Sequence, residues 1–285
     1  KLHIDRIKKI KIDEMVSLAD VEFKVFSQFG EDGIIQFLIN NIIIEKRIFV
    51  EFGVENYMES NTRFLLFNNN WSGFIMDGSK ANMSEVKSRN FYWQHDLTAK
   101  EAYITKDNIN DLIVNAGISG DIGILSIDIG GNDYWVWKAV NVISPRIVIC
   151  EWNGVYGPNL SVTIPYDENF SSDSRYRYHY SGLFSGASLK ALIQLAESKG
   201  YQFVGSNSAG NNAFFVRNDL AGPFENITRK AEYIESKYRD SKDKNGNLNY
   251  LSGSDRLKEI LDVEVYETNM RKNIVLRELI NLKGN

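Results

Sequence analysis

Short apolar runs alternate with amphipathic stretches of helical length along most of the chain. The runs fall at 48–52, 72–76, 91–93, 122–127 and 146–150, and again at 201–204 and 213–216. Several are apolar throughout instead of alternating, which suits strands buried on both faces of a parallel sheet. Helical periodicity fills the gaps at 33–44, 60–68, 79–88, 108–116, 134–142 and 189–199. Strands and helices alternating at this spacing imply βαβ units and an α/β fold. The expected sheet is doubly wound, mostly parallel and seven-stranded. Between its last two strands, 205–212 has room for a Gly/Asn/Ser turn and no helix, so they form an antiparallel edge hairpin.

The pattern divides the chain into an N-terminal segment (1–25), a main domain (26–220) and a C-terminal helical extension (221–285). Within the main domain, 153–186 is a long insertion rich in Tyr, Ser and Asp. Insertions of that length in a compact domain are usually functional or disordered, and this one is expected to cover the substrate. In the extension, 225–238 and 253–282 read as helices and 240–246 as a flexible polar linker. Such a tail packs as an extra layer or makes subunit contacts, and a homodimer is one expectation from it.

Composition narrows the classes. Hydrophobic residues make up 43% and charged residues 25% of 285 positions, an ordinary globular balance. No apolar stretch approaches the roughly 20 residues of a membrane-spanning helix. The formal net charge of −4 leaves no excess of cations to neutralise phosphates, so nucleic acid is not the expected partner. The basic run Lys8-Lys9-Ile10-Lys11 reads as a solvated helix face. Cys150 stands alone in an apolar run and reads as a buried hydrophobe. With no signal-peptide pattern, this cysteine usage points to a cytoplasmic setting.

In an open Rossmann-like sheet, ligands bind beyond the carboxyl ends of the strands where the strand order reverses. After the first run comes Glu51-Phe52-Gly53-Val54-Glu55. Gly53 permits a sharp turn and close approach to a ligand. A dinucleotide loop needs three glycines around a pyrophosphate; here there is one, flanked by carboxylates that repel phosphate and tolerate a sulfonium cofactor. After the second run comes Asp77-Gly78-Ser79, where Asp77 can accept from ribose hydroxyls and Ser79 can cap the following helix. After the third, Asp96 is placed to accept from an adenine amino group, with the Leu97 N–H beside it.

The fourth and fifth runs end in Asp128 and Glu151. Adjacent strand ends lie about 5 Å apart, so the two carboxylates can converge, with Asn153, on a hard divalent cation such as Mg²⁺ or Mn²⁺. The alternative is that they bind substrate hydroxyls or cap helices. Three histidines are present, His3, His95 and His179. His3 reads as surface and His95 neighbours the expected adenine site. His179, at the end of the insertion, is the candidate base for a hydroxyl proton, with Asp128 or Asp133 as competitors. Trp135, Trp137, Trp152, Tyr156, Tyr166, Tyr176 and Tyr180 are candidates to stack on a sugar or base.

The order Glu51-Phe52-Gly53, Asp77, Asp96-Leu97-Thr98 and Asp128 resembles class I S-adenosylmethionine-dependent methyltransferases. Within them the chain is similar to the FkbM-like group and to sugar O-methyltransferases of bacterial polysaccharide clusters. The resemblance covers about 26–220 and also rests on 27–33 (SQFGEDG), 186–189 (GASL) and 212–216 (NAFFV). It implies that Glu51 and Gly53 line the methionine end of the cofactor and that Asp77 binds its ribose. Asp96 would bind adenine, and Gln28 would lie near the cofactor carboxylate. Asp128 and Glu151 would match the metal-binding acids of some sugar methylating relatives. Glu55 and Tyr57 depart from the small residues frequent in that turn. The implied activity is O-methylation of a sugar, nucleotide-linked and destined for surface polysaccharide. A nicotinamide-dependent sugar oxidoreductase or a non-catalytic binding subunit of the same fold are the alternatives.

Overall fold

β1 (Ile48–Phe52) carries the branched and aromatic side chains that a sheet buried on both faces favours, and Phe49, Val50 and Phe52 are fully buried. In the computed structural model, which describes residues 5, 7, 10, 12, 15, 17–172 and 174–283, this strand is central. It pairs in parallel with β2 (Ser72–Asp77) and β4 (Gly120–Ile127). β3 (Leu97–Glu101) lies beyond β2, and β5 (Ile143–Glu151), β8 (Asn212–Arg217) and β7 (Tyr201–Ser206) lie beyond β4. The seven-stranded order is β3-β2-β1-β4-β5-β8-β7. β8 runs antiparallel to both neighbours, so the terminal hairpin forms one edge with its antiparallel member one place in. His3 and the run Lys8-Lys9-Lys11 lie outside the described residues.

Strand alternation sends side chains to two helical layers. One face, with Phe49, Ile75, Ile124 and Ile149, packs on α1 (Glu31–Asn41), α2 (Arg63–Asn69) and α3 (Lys80–Ser88). The other, with Val50, Phe74, Leu125 and Val148, packs on α5 (Ile109–Asn115), α6 (Asp133–Ala139) and, beyond the short α7 (Arg175–Tyr178) of the insertion, α8 (Leu189–Ser198). Among the described residues no helix is long and apolar enough to cross a membrane.

Two expectations are corrected. Residues 91–93 are not the third strand but part of a short helix, α4 (Asn90–Gln94). Phe91 turns inward against Tyr57 and Phe67, while Trp93 is 75% exposed. A strand with one neighbour needs only one apolar face, and the true β3 meets that need with Leu97 and Ala99 buried between more exposed residues. The C-terminal region is not helical throughout. Helix α9 (Glu225–Lys230) is followed by irregular chain, and 240–246 is an ordered turn in which Asp243 accepts from the N–H groups of Asn245 and Asn247.

Further on, α10 (Ser254–Glu259) leads to a hairpin of β9 (Glu264–Glu267) and β10 (Lys272–Val275), then α11 (Leu276–Lys283). β9 also pairs with β6 (Val162–Thr163) of the insertion. Insertion and tail share one apolar cluster, with Val155, Val162, Ile164 and Leu183 meeting Ile260, Val265, Leu276 and Leu279. The β6–β9 pairing and this cluster join the two distant segments into one roof.

Candidate active site

The loop after β1 begins at Gly53, whose φ of +79° is left-handed. A Cβ there would lie 1.4 Å from the Asp128 carbonyl oxygen, so any side chain would drive the β1 and β4 loops apart. Glu55 and Tyr57 are also left-handed, at φ +47° and +59°, a conformation costly for residues with a Cβ. Tyr57 is held there by full burial and a 3.0 Å hydrogen bond between its hydroxyl and Thr62 Oγ1. The Glu55 N–H donates to Asp77 Oδ2 at 2.8 Å. Glu51 anchors the far end of the loop: its carboxylate accepts from Ser60 Oγ at 2.6 Å, the Asn61 N–H at 3.0 Å and Ser126 Oγ at 3.2 Å. Burial raises the Glu51 carboxyl above its ordinary range, and these donors partly oppose that.

Above this loop lies a cleft of about 580 Å³ at the carboxyl ends of β1 and β4, where the strand order reverses. Of the residues expected from the sequence, Gln28, Glu51, Gly53, Glu55, Asp77, Gly78, Ser79 and Asp128 line it. Asp77 Oδ1 accepts from the Ser79 N–H at 2.8 Å, and Ser79 Oγ caps α3. Asp96 and Leu97 do not line the cleft. They sit at the start of β3, at the amino ends of the strands and away from the cleft, where Ser72 Oγ donates to Asp96. The error follows from the misplaced third strand. The chain leaving β3 instead contributes Ala102, Tyr103 and Ile104 to the wall. His95 also lies at the amino end of β3, its ring against Phe67 at 4.8 Å.

Asp128, Asp133 and Glu151 form a cluster in which one oxygen from each lies within 4.8 Å of the others. Asp133, at the first turn of α6, accepts from the N–H groups of Ile129 and Gly131, each at 2.8 Å. Burial, then the charges of Glu151 and Asp133, hold the Asp128 carboxyl well above the usual range. Burial and Asp133 push Glu151 to about 7, while its hydrogen bond with Asp128 pulls it down. Asp128 therefore keeps the shared proton and donates it to Glu151, and the pair titrates as a unit. Asn153 is not part of this group. Its Nδ2 donates to the Leu183 and Ser185 carbonyls, each at 2.9 Å, and its Oδ1 accepts from the Val155 N–H. Both ends of its amide are engaged by the insertion, where it caps the turn at 154–156.

His179 is likewise removed from the cleft. Its Nδ1 pairs with Ser181 Oγ at 2.7 Å and its ring stacks on Tyr180, whose hydroxyl donates to Glu259 of α10. Burial lowers its pKa. Nor do the seven aromatics singled out from the sequence line the cleft. Trp137 and Tyr156 are core residues, and Trp135 donates to the Ile164 carbonyl beneath the roof. The aromatic lining comes from Tyr103 and Phe170, joined by a 3.2 Å hydrogen bond from the Tyr103 hydroxyl to the Phe170 carbonyl. Phe170, Ser171 and Ser172 are the parts of the roof that reach the cleft. They approach so closely that a Cβ on Gly130 would lie 2.0 Å from Ser172 Oγ.

Sequence reasoning gave no site role to Asn132 or Asn212, which both lie on the cleft wall. Asn212 begins β8 directly beside Glu151, so a register count along the terminal hairpin would have placed it at the mouth. Its Nδ2 donates to Glu31 at 2.9 Å, and that of Asn132 to the Asp167 carbonyl at 2.8 Å.

No family model matches the sequence, and no curated protein is similar to it. Solved structures with a similar chain path include the N-terminal domain of EvdMO1 with SAH bound, at 10% identity over 59% of this chain and 72% of that one, TM-score 0.38. A putative caffeoyl-CoA O-methyltransferase from Staphylococcus aureus is similar at 13% identity over 66% and 82%, TM-score 0.38. The O-methyltransferase from Bacillus cereus in complex with SAH is similar at 12% identity over 75% and 89%, TM-score 0.37. At these values the likeness assigns no role to any residue here.

Proposed function

We propose that this chain is an S-adenosylmethionine-dependent O-methyltransferase acting on a hydroxyl of a saccharide. The observation that carries the reading is the acidic, single-glycine cradle at the switch point. Gly53 brings the β1 and β4 loops together, and Asp77, which accepts from Glu55, Ser79 and Asn82, keeps acceptor capacity on Oδ2 for a ribose at the end of β2. The carboxylates around them suit a cofactor bearing a positive sulfonium and oppose a pyrophosphate, which disfavours the nicotinamide alternative.

S-adenosylmethionine, when bound, supplies an electrophilic methyl group. Asp77 would hold its ribose, with Glu55 beside it. Tyr103, Ala102 and Ile104 would flank its adenine in place of Asp96, and Gln28 and Gly53 would face its methionine end. The protein's contribution is largely alignment, since holding two reactants in a near-attack arrangement can supply about 7–11 kcal/mol of a barrier. The Asp128–Glu151 pair is the proton acceptor: Glu151 is the member that ionises above about 7, and Asp128, which lines the cleft and holds the shared proton, can pass that proton to Glu151 as it takes the one on the acceptor hydroxyl. Asp133 keeps that pair basic.

The same three carboxylates are also suitable oxygen ligands for Mg²⁺ or Mn²⁺, with Asp133 in the place expected of Asn153. Such an ion would lower the pKa of a bound hydroxyl. The nucleotide linkage expected of the acceptor has no cation along the described lining to support it. The test is transfer of a labelled methyl group from S-adenosylmethionine to a saccharide panel. Asp128→Asn should keep cofactor binding and lose turnover at least a hundredfold; full turnover in that variant would remove Asp128 from the chemistry.

A further inference from the structure

We infer that the acceptor enters this site as an uncharged, unphosphorylated sugar, and that sugar phosphates and nucleotide sugars are excluded. The inference rests on the methyltransferase reading above and concerns what remains of the cleft once the cofactor is in place.

Glu51, Glu55, Glu59, Asp77 and Asp128 line the cleft, and among the described lining residues there is no Lys, Arg or His. Asp133 and Glu151 add negative charge directly behind Asp128. Two cations of the surrounding segments are engaged elsewhere, although the charge of Arg175 still reaches Glu151. Lys24 at the rim bonds the Gln28 carbonyl at 2.7 Å and pairs with Glu59 at 3.3 Å. Arg175 in the roof is paired with Asp240 at 3.0 Å and bonded to the Tyr176 hydroxyl.

A phosphate needs Arg or Lys, a helix N-terminus or a metal to replace its hydration. Where the acceptor must lie, between the Asp128 cluster and the roof, it would instead face carboxylates. What the protein does offer there is Ser171, Ser172, Asn132 and Asn212, with the Phe170 ring. Hydroxyls and amides beside an aromatic face match a ring bearing several hydroxyl groups. The cleft thus suits a cofactor of net positive charge, with its sulfonium and ammonium outweighing one carboxylate, and repels added negative charge in the acceptor, which is specificity by repulsion as much as by contact.

The experiment has two stages on the intact chain. Calorimetric titration with S-adenosylhomocysteine first establishes the cofactor site. The loaded protein is then titrated with neutral methyl glycosides of glucose, mannose and galactose, with their 6-phosphates, and with UDP-glucose, each with and without Mg²⁺. Methyl transfer to the same compounds is followed by mass spectrometry. Neutral glycosides should bind and be methylated with kcat/KM at least tenfold above their phosphorylated counterparts. Ser172→Lys, which places a cation on a solvent-accessible part of the roof that reaches the cleft, should narrow that ratio. If S-adenosylhomocysteine does not bind, the underlying reading fails and this inference with it. If it binds but phosphorylated sugars are taken as well as or better than neutral ones, with or without Mg²⁺, the inference fails and the methyltransferase reading stands. Failure of every neutral glycoside to bind the loaded protein also overturns it.

Discussion

Replacing Glu151 by Gln tests the carboxylate cluster through stability, independently of any substrate. Burial and Asp133 push the Glu151 carboxyl from an ordinary 4.5 to about 7. A group whose pKa is raised by folding holds its proton more tightly in the native state. Its contribution is therefore most favourable below 4.5 and is lost as pH climbs towards 7. At ~1.4 kcal/mol per tenfold change in proton affinity, this displacement corresponds to on the order of 3 kcal/mol of stability lost between pH 4 and pH 8. Gln keeps the size and a hydrogen bond to Asp128 but cannot ionise. Thermal melts followed by circular dichroism, with chelator present, should show Glu151→Gln near the parent at pH 4.5. At pH 8 the variant should melt roughly 4–8 °C higher, taking about 2 °C per kcal/mol for a chain of this size. Added Mg²⁺ should raise the parent's Tm at pH 8 and leave the variant's almost unchanged if the cluster takes a cation. A gap that stays constant between pH 4.5 and pH 8, or that shrinks with pH, would refute the shared-proton picture.

Other positions test other parts of the site. Gly53→Ala places a Cβ on the Asp128 carbonyl, so it should lower Tm and cost roughly 2–4 kcal/mol in urea unfolding; an unperturbed variant would mean that the two loops separate freely. Asp77→Ala should weaken S-adenosylhomocysteine binding at least tenfold, the loss of one or two charge-assisted hydrogen bonds. Asp96→Ala should leave it within twofold, and a matching loss there would restore the adenine role that the structure removes. Glu55→Gly relieves a left-handed residue and should hold or raise Tm, while weakening the cofactor by about three- to tenfold if its carboxylate faces the ribose.

How much of this was readable beforehand follows from which signals are local. The buried parallel strands announced themselves as continuous apolar runs, and Gly53, Asp77 and Asp128 were found because each directly follows such a run. β3 failed that test. Its alternating Leu97-Thr98-Ala99-Lys100-Glu101 is a weaker signal than Phe91-Tyr92-Trp93, whose strand preference was overridden by packing of Phe91 on Phe67, and the shift carried the adenine assignment with it. Asn153 and His179 were placed by proximity in sequence to the mouth of the sheet, yet Asn153 is engaged by Ser185, 32 residues on, and His179 by its near neighbour Ser181. The roof could not be read at all from local pattern, because β6 finds its partner β9 about a hundred residues later.

The most direct measurement is calorimetric titration of the purified chain with S-adenosylmethionine and, separately, with NAD. Binding of S-adenosylmethionine at one site, weakened by Asp77→Ala and with no heat from NAD, is the expected result. Binding of NAD, or of neither compound, would contradict the cofactor assignment on which the proposed chemistry stands.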